Sequence, residues 1–203
     1  MKTPCSPRLR LGFRIGLQNH DREGVERVFN RADLEARWAT TRLITFVCYG
    51  AWLPAQTGAI TMTQNTFGAP LPEVDAAKEQ HALNGMSQEP YTLDATRQQL
   101  VLRSLQEVCS CRGWTLLAAH VRTNHVRLVA SANCKPELML NAFKAYSSRA
   151  LNHLALDSPD RRRWARHGST RYLWTSAAVS AAIHYVVCEQ GDAMAVFEMP
   201  AAR

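Results

Sequence analysis

No two of the six cysteines (Cys5, Cys48, Cys109, Cys111, Cys134 and Cys188) form a CxxC pair, and their spacings do not repeat. That absence argues against a zinc ribbon or a disulfide framework and points to reduced, partly buried thiols. The closest pair, Cys109 and Cys111, lies in a helical pattern that directs the two thiols to different faces. No apolar run approaches the roughly 20 residues of a membrane span. An export signal has no continuous apolar stretch to use, because Arg8, Arg10 and Arg14 interrupt the N-terminal region. The sequence therefore predicts a soluble, cytoplasmic protein with no membrane partner. Internal repeats and low-complexity tracts are also missing. Acidic side chains are in deficit, 17 against 24 Lys and Arg for a net charge of +7, so a polyanion is a natural partner.

What is present suffices for one domain and an extension. The chain has 203 residues, 46% of them hydrophobic, enough to bury a core. Residues 1–37 carry eight basic and five acidic side chains without a sustained period and read as a basic N-terminal extension of low order. Residues 38–203 read as the folded domain. Arg42–Tyr49, rich in β-branched and aromatic residues and ending at Gly50, reads as a buried strand. Residues 54–91 are punctuated by Pro54, Gly58, Gly68, Pro70, Pro72, Gly85 and Pro90 and read as a long loop.

Thr92-Leu-Asp94 begins a helix that shows Leu93, Val101, Leu105 and Val108 to the core and stops at Gly113. Two strands, Trp114–Val121 and His125–Ser131, flank the tight connection Arg122-Thr123-Asn124. A helix from Pro136 to about Leu154, a short strand within Arg171–Trp174, and a helix capped by Ser176 and closed near Gly191 complete the order. A central hairpin between helices predicts an α+β fold, a ferredoxin-like antiparallel sheet with helices packed on one face.

Chemistry concentrates in three places. In Asn124-His-Val-Arg-Leu-Val129, alternation puts His125 and Arg127 on one side of the strand and Val126 and Leu128 in the core. In the last helix Val179, Ile183, Val186 and Val187 can face the core while Tyr185 looks elsewhere. Glu189 lies about 40° around the helix from Tyr185, and Gln190 about 140° if the helix continues. Between them, Arg161-Arg162-Arg163-Trp164-Ala165-Arg166-His167 and Arg171-Tyr172 interleave cations with rings, as single-stranded DNA requires for its phosphates and bases. Arg122, Lys144 and Arg149 extend that patch.

These blocks carry a resemblance. Asn124-His125-Val126, with Leu128 and Val129, resembles the histidine strand of the HUH single-tyrosine transposases, which include the REP-associated tyrosine transposases. Thr45-Phe46 leading to Tyr49-Gly50-Ala51-Trp52-Leu53 resembles their opening strand. Arg166–Trp174, Tyr185-Val-Val and Gln190-Gly191 resemble their C-terminal blocks.

The resemblance implies a protein that binds single-stranded or hairpin DNA, as a monomer or homodimer, and cleaves and rejoins it. Tyr185 would be the nucleophile, forming a 5′-phosphotyrosine and a free 3′-OH, with Mg²⁺ or Mn²⁺ held by His125 and a third ligand from the last helix. Geometry favours Glu189 as that ligand and the resemblance favours Gln190. A tyrosine hydroxyl, with an ordinary pKa near 10, needs such a cation beside it to react at neutral pH.

One residue departs from the pattern. Arg127 stands where the family has its second histidine, and a guanidinium has only donors and cannot ligate a metal. His120 and Asn124 are conceivable substitutes. Arg127 could itself hold the phosphate, or the chain could be a catalytically impaired DNA-binding relative whose metal site Arg127 has removed.

Overall fold

The first strand, β1 (Thr41–Val47), is central because both its faces bury side chains: Ile44 and Phe46 on one, Leu43 on the other. The computed structural model of the chain describes residues 40–51 and 76–200, so the expected extension at 1–37 and most of the expected loop lie outside the described residues. The remaining elements follow as α1 (Ala76–Asn84), α2 (Ala95–Arg112), β2 (Thr115–Val121), β3 (His125–Ser131), α3 (Pro136–His153), β4 (Ser169–Tyr172), α4 (Ser176–Cys188) and β5 (Ala195–Glu198).

The sheet is antiparallel throughout, in the order β4-β1-β3-β2-β5. Its first four strands, with α2 and α3 as the crossovers, make the β-α-β-β-α-β path of the ferredoxin-like fold. The α+β class predicted from the hairpin is therefore the class observed, and β5 adds a fifth strand beside β2.

Local chemistry explains the boundaries. Asp94 caps α2 by accepting from the Arg97 backbone N–H at 2.8 Å. Gly113 ends the helix at φ 65°, the left-handed turn that a glycine adopts without strain. Pro136 opens α3. α2 contributes Val101, Leu105 and Val108 and α3 contributes Met139, Phe143 and Leu151 to a core shared with Ile44, Phe46, Val126 and Leu128. Cys109 is buried there and Cys111 is exposed, as their spacing required.

Three details differ from the sequence reading. α1 interrupts the expected loop: its run contains helix formers such as Ala77, Gln80, Ala82 and Leu83, and the Pro and Gly punctuation only flanks it. Thr175, not Ser176, caps α4, its hydroxyl accepting from Ala178 N at 3.1 Å. Finally, α2 and α3 share one face of the sheet as expected, but α4 covers the other, packing Val179, Ala182 and Val186 on Leu117, Ala118 and Val129. Alternation along β2 and β3 makes both faces apolar, so a third helix is needed to bury the second.

Candidate functional site

β3 carries two polar side chains to the face that α4 covers. Val126 and Leu128 enter the α2/α3 core, so His125 and Arg127 project to the opposite side. Arg127 stands in register with Thr45 of β1 and His120 of β2. α4 brings Tyr185 onto this row. Arg127 Nη1 donates to Tyr185 Oη and to Gln190 Oε1, and its guanidinium carbon lies 5.0 Å from the Tyr185 ring centroid. The structure thus brings together His125, Arg127, Tyr185 and Gln190.

Glu189 is not part of this cluster. α4 ends at Cys188, and the chain leaves it through Glu189 (φ −105°, ψ 18°) and Gly191 (φ 78°), so the helical wheel does not extend that far. Glu189 turns outward and accepts from His184 Nδ1 at 2.9 Å. Gln190 folds back and is buried, its Nε2 donating to Tyr185 O at 2.9 Å.

His125 is held as a neutral ring. Its Nδ1 meets Asn124 Oδ1 at 2.7 Å; that carbonyl oxygen only accepts, so Nδ1 carries the proton and Nε2 presents a lone pair. Nε2 is buried and has no partner. Burial, reinforced by the Arg127 and Arg122 cations and opposed by the Gln190 side chain, pushes the ring down to about 4. His120 is already committed: Nδ1 donates to Val186 O at 3.1 Å and Nε2 accepts from Met194 N at 3.3 Å. Burial lowers its pKa as well. With both nitrogens engaged it does not replace a second histidine ligand, and Asn124 is tied to His125.

The two histidines make the free protein acid-sensitive. Their unfolded pKa is about 6.5, above the folded value in both cases. Below pH 6.5 the unfolded chain therefore binds more protons than the folded one. Their contribution is complete above pH 6.5 and is lost as pH falls towards 4, the folded value of His125. The urea midpoint should decline steadily from pH 7 to 4.5, and less steeply in His125→Gln. A flat profile would contradict the buried, neutral assignment.

A divalent ion does not suit this donor set. Among the described residues no three His, Cys, Asp or Glu side chains converge to hold a metal. His125 Nε2 is available, but Gln190 Oε1 is taken by the guanidinium. At ~4 Å and an effective dielectric of 20, two unit charges repel by about 4 kcal/mol, and a divalent ion beside Arg127 by about 8. A millimolar dissociation constant corresponds to only about 4 kcal/mol.

Beside Arg127 the sheet face opens into a concavity of about 380 Å³ lined by Thr45, Val47, His125, Arg127, Gly168 and Ser169. Thr45 and Ser169 were given no site role from sequence, although the strand register that pairs them across β1 and β4 puts them on the Arg127 side. Gly168 keeps the wall close. A Cβ there would stand 2.7 Å from Thr45 O and 2.9 Å from Leu140 Cδ1. Gly168→Ala should push β4 off β1 and lower stability by about 1–3 kcal/mol, read from urea unfolding; an unshifted midpoint would show that the wall yields freely.

The cationic patch divides in two. Arg163 is 3% exposed, paired with Asp157 at 3.4 Å, and so is not a DNA contact but part of the framework. Arg161 donates to Gln88 Oε1, Glu89 O and Pro90 O. Lys144 Nζ holds Ala165 O at 2.8 Å and His167 O at 2.9 Å. Trp164 packs edge-on against Phe46 and donates to Lys144 O and Ser148 Oγ, so its ring is a core ring. Arg149, Arg162, Arg166, His167 and Arg171 are exposed. Arg122, in the β2–β3 turn, donates to Asp192 O at 3.0 Å, near Gln190. Arg171 lies one row from Ser169 on the concave side of β4.

No family model and no curated protein matches the sequence. Among solved structures, the chain is similar to a REP-associated tyrosine transposase bound to a REP hairpin, at 9% identity and a TM-score of 0.43 over 74% of this chain. It spans 66% of that structure's length. No helix among the described residues is long and apolar enough to cross a membrane.

Proposed function

We propose that this protein binds single-stranded or hairpin DNA on the α4 side of its sheet, with Arg127 receiving a backbone phosphate in the position where its HUH relatives hold a metal ion, and that metal-dependent cleavage through Tyr185 is impaired. The observation that carries this reading is the placement of the guanidinium between Tyr185 Oη and Gln190 Oε1, beside an open concavity. Both of those bonds use Nη1. A guanidinium has five N–H donors, so others remain to meet a phosphate oxygen. Arg122 and Arg171 flank the site, and the net charge of +7 favours a polyanion at longer range.

Retained strand transfer, with Arg127 supplying charge stabilisation, is the second reading. The same contact favours it, because a cation at Tyr185 Oη stabilises a phenolate nucleophile.

The test is fluorescence anisotropy with a labelled DNA hairpin bearing a single-stranded tail. Binding should be equal in EDTA and in Mn²⁺, and should weaken steeply with salt. Arg127→Gln should lower affinity and reduce the salt slope by roughly one phosphate contact. Binding that requires Mn²⁺, or that ignores salt, would refute the assignment.

A further inference from the structure

At the β4 edge of the sheet, strand alternation sends Tyr172 to the side opposite Arg171, and Trp174, just past the strand's end, stacks on it. Arg42, the cross-strand neighbour of Tyr172, lies beneath them. It is 5% exposed and immobilised by backbone carbonyls: Nη1 donates to Thr40 O at 2.6 Å and Ala132 O at 2.8 Å, and Nη2 to Cys134 O at 2.9 Å. The Tyr172 ring lies 4.8 Å above this guanidinium. Trp174 stacks on Tyr172 in turn, with centroids 4.9 Å apart and planes 7° from parallel. The result is a three-layer pile, anchored at its base and ending in an indole that is 65% exposed.

Single exposed aromatics are common and need no explanation. This one is held parallel to a second ring, so part of the ordering entropy of a further layer is already met by the fold. Exposed Arg166 and His167 precede it in the same segment and offer donors to the phosphates of a nucleic-acid strand. We infer that Trp174 is a stacking platform for one unpaired base of single-stranded DNA, with Arg42 and Tyr172 as its support. The inference rests on the DNA-binding reading above but not on any role of Arg127 or Tyr185, since the pile stands on the other side of the sheet. A π-face is common to all four bases, so the platform selects unpaired over paired bases and not one sequence over another.

The experiment compares a labelled dT12 oligonucleotide with an abasic strand of equal length, by anisotropy, for the wild type, Trp174→Ala and Trp174→Phe. The wild type should prefer dT12 by roughly tenfold or more. Trp174→Ala should lose most of that preference while binding the abasic strand as before, and Trp174→Phe should keep part of it. Loss of affinity for both strands alike, or for neither, would overturn the platform. So would a change confined to the protein's own mass on a sizing column, which would assign the ring to a contact between copies. If the wild type binds neither strand, the DNA-binding reading fails and the platform with it.

Discussion

If Arg127 occupies the place of an ion, as proposed, Arg127→His is expected to form a Mn²⁺-dependent covalent adduct with a single-stranded hairpin oligonucleotide. Removing the guanidinium takes away a repulsion of about 8 kcal/mol against a divalent ion. It also frees Gln190 Oε1 and leaves the orphaned His125 Nε2 facing a second imidazole. Three neutral donors then meet beside Tyr185 Oη, where the guanidinium had been. The adduct forms as Tyr185 Oη bonds to phosphorus and the bond to the 3′-oxygen breaks; the phenolic proton leaves and the 3′-oxygen is released as a hydroxyl. Denaturing electrophoresis should show the retarded band in the variant, none when Tyr185→Phe is added, and little or none in the wild type. A strong wild-type adduct in EDTA would favour the second reading, in which Arg127 itself assists the transfer.

Asp157→Ala should produce a large loss of stability. The Asp157 carboxylate accepts from Arg97 Nη2 at 2.8 Å, Tyr91 Oη at 2.7 Å and Arg163 Nη2 at 3.4 Å. Burial alone would raise its pKa, but the Arg97 and Tyr91 hydrogen bonds and the two cations hold it below the usual carboxylate range. Its removal leaves Arg163, almost wholly buried, without its counter-charge. Breaking such a pair from one side costs about 3–5 kcal/mol, or a fall in Tm of the order of 10 °C for a chain of this size. Thermal denaturation followed by circular dichroism measures this directly. A shift of less than about 2 °C would mean that the Arg163 guanidinium finds water or another acceptor.

The effect of Asp157 shows where sequence reasoning reached its limit. Arg161, Arg162 and Arg163 read identically as a charge run, yet one is buried, one is tied to backbone carbonyls and one is exposed. Only the partners separate them: Asp157, six residues before Arg163, which nothing in the run marks as its counter-charge, and the 88–90 segment, more than seventy residues away. The strand chemistry was legible because it is local. Period-two alternation alone put His125 and Arg127 on one face and Val126 and Leu128 in the core.

Tyr185 was legible for the same reason along α4, but its neighbour was not. The choice between Glu189 and Gln190 turned on where α4 stops, and the helix ends at Cys188, before either residue, so the wheel does not decide it. β5 was missed because Ala195–Glu198 is a four-residue edge strand with little pattern of its own. α4 was expected with its companions on one face; its true position follows from apolar residues on both sides of β2 and β3, a signal present in Leu117, Ala118 and Val129.

The role of Arg127 is most directly measured by titrating Mn²⁺ into the metal-free wild-type protein and following the free-ion signal by electron paramagnetic resonance. If the guanidinium takes the ion's place, as proposed, the signal should grow in step with added Mn²⁺ up to about 1 mM, whereas Arg127→His should withdraw one equivalent. Withdrawal of one equivalent by the wild type, abolished by Gln190→Ala, would contradict the replacement of the metal by arginine.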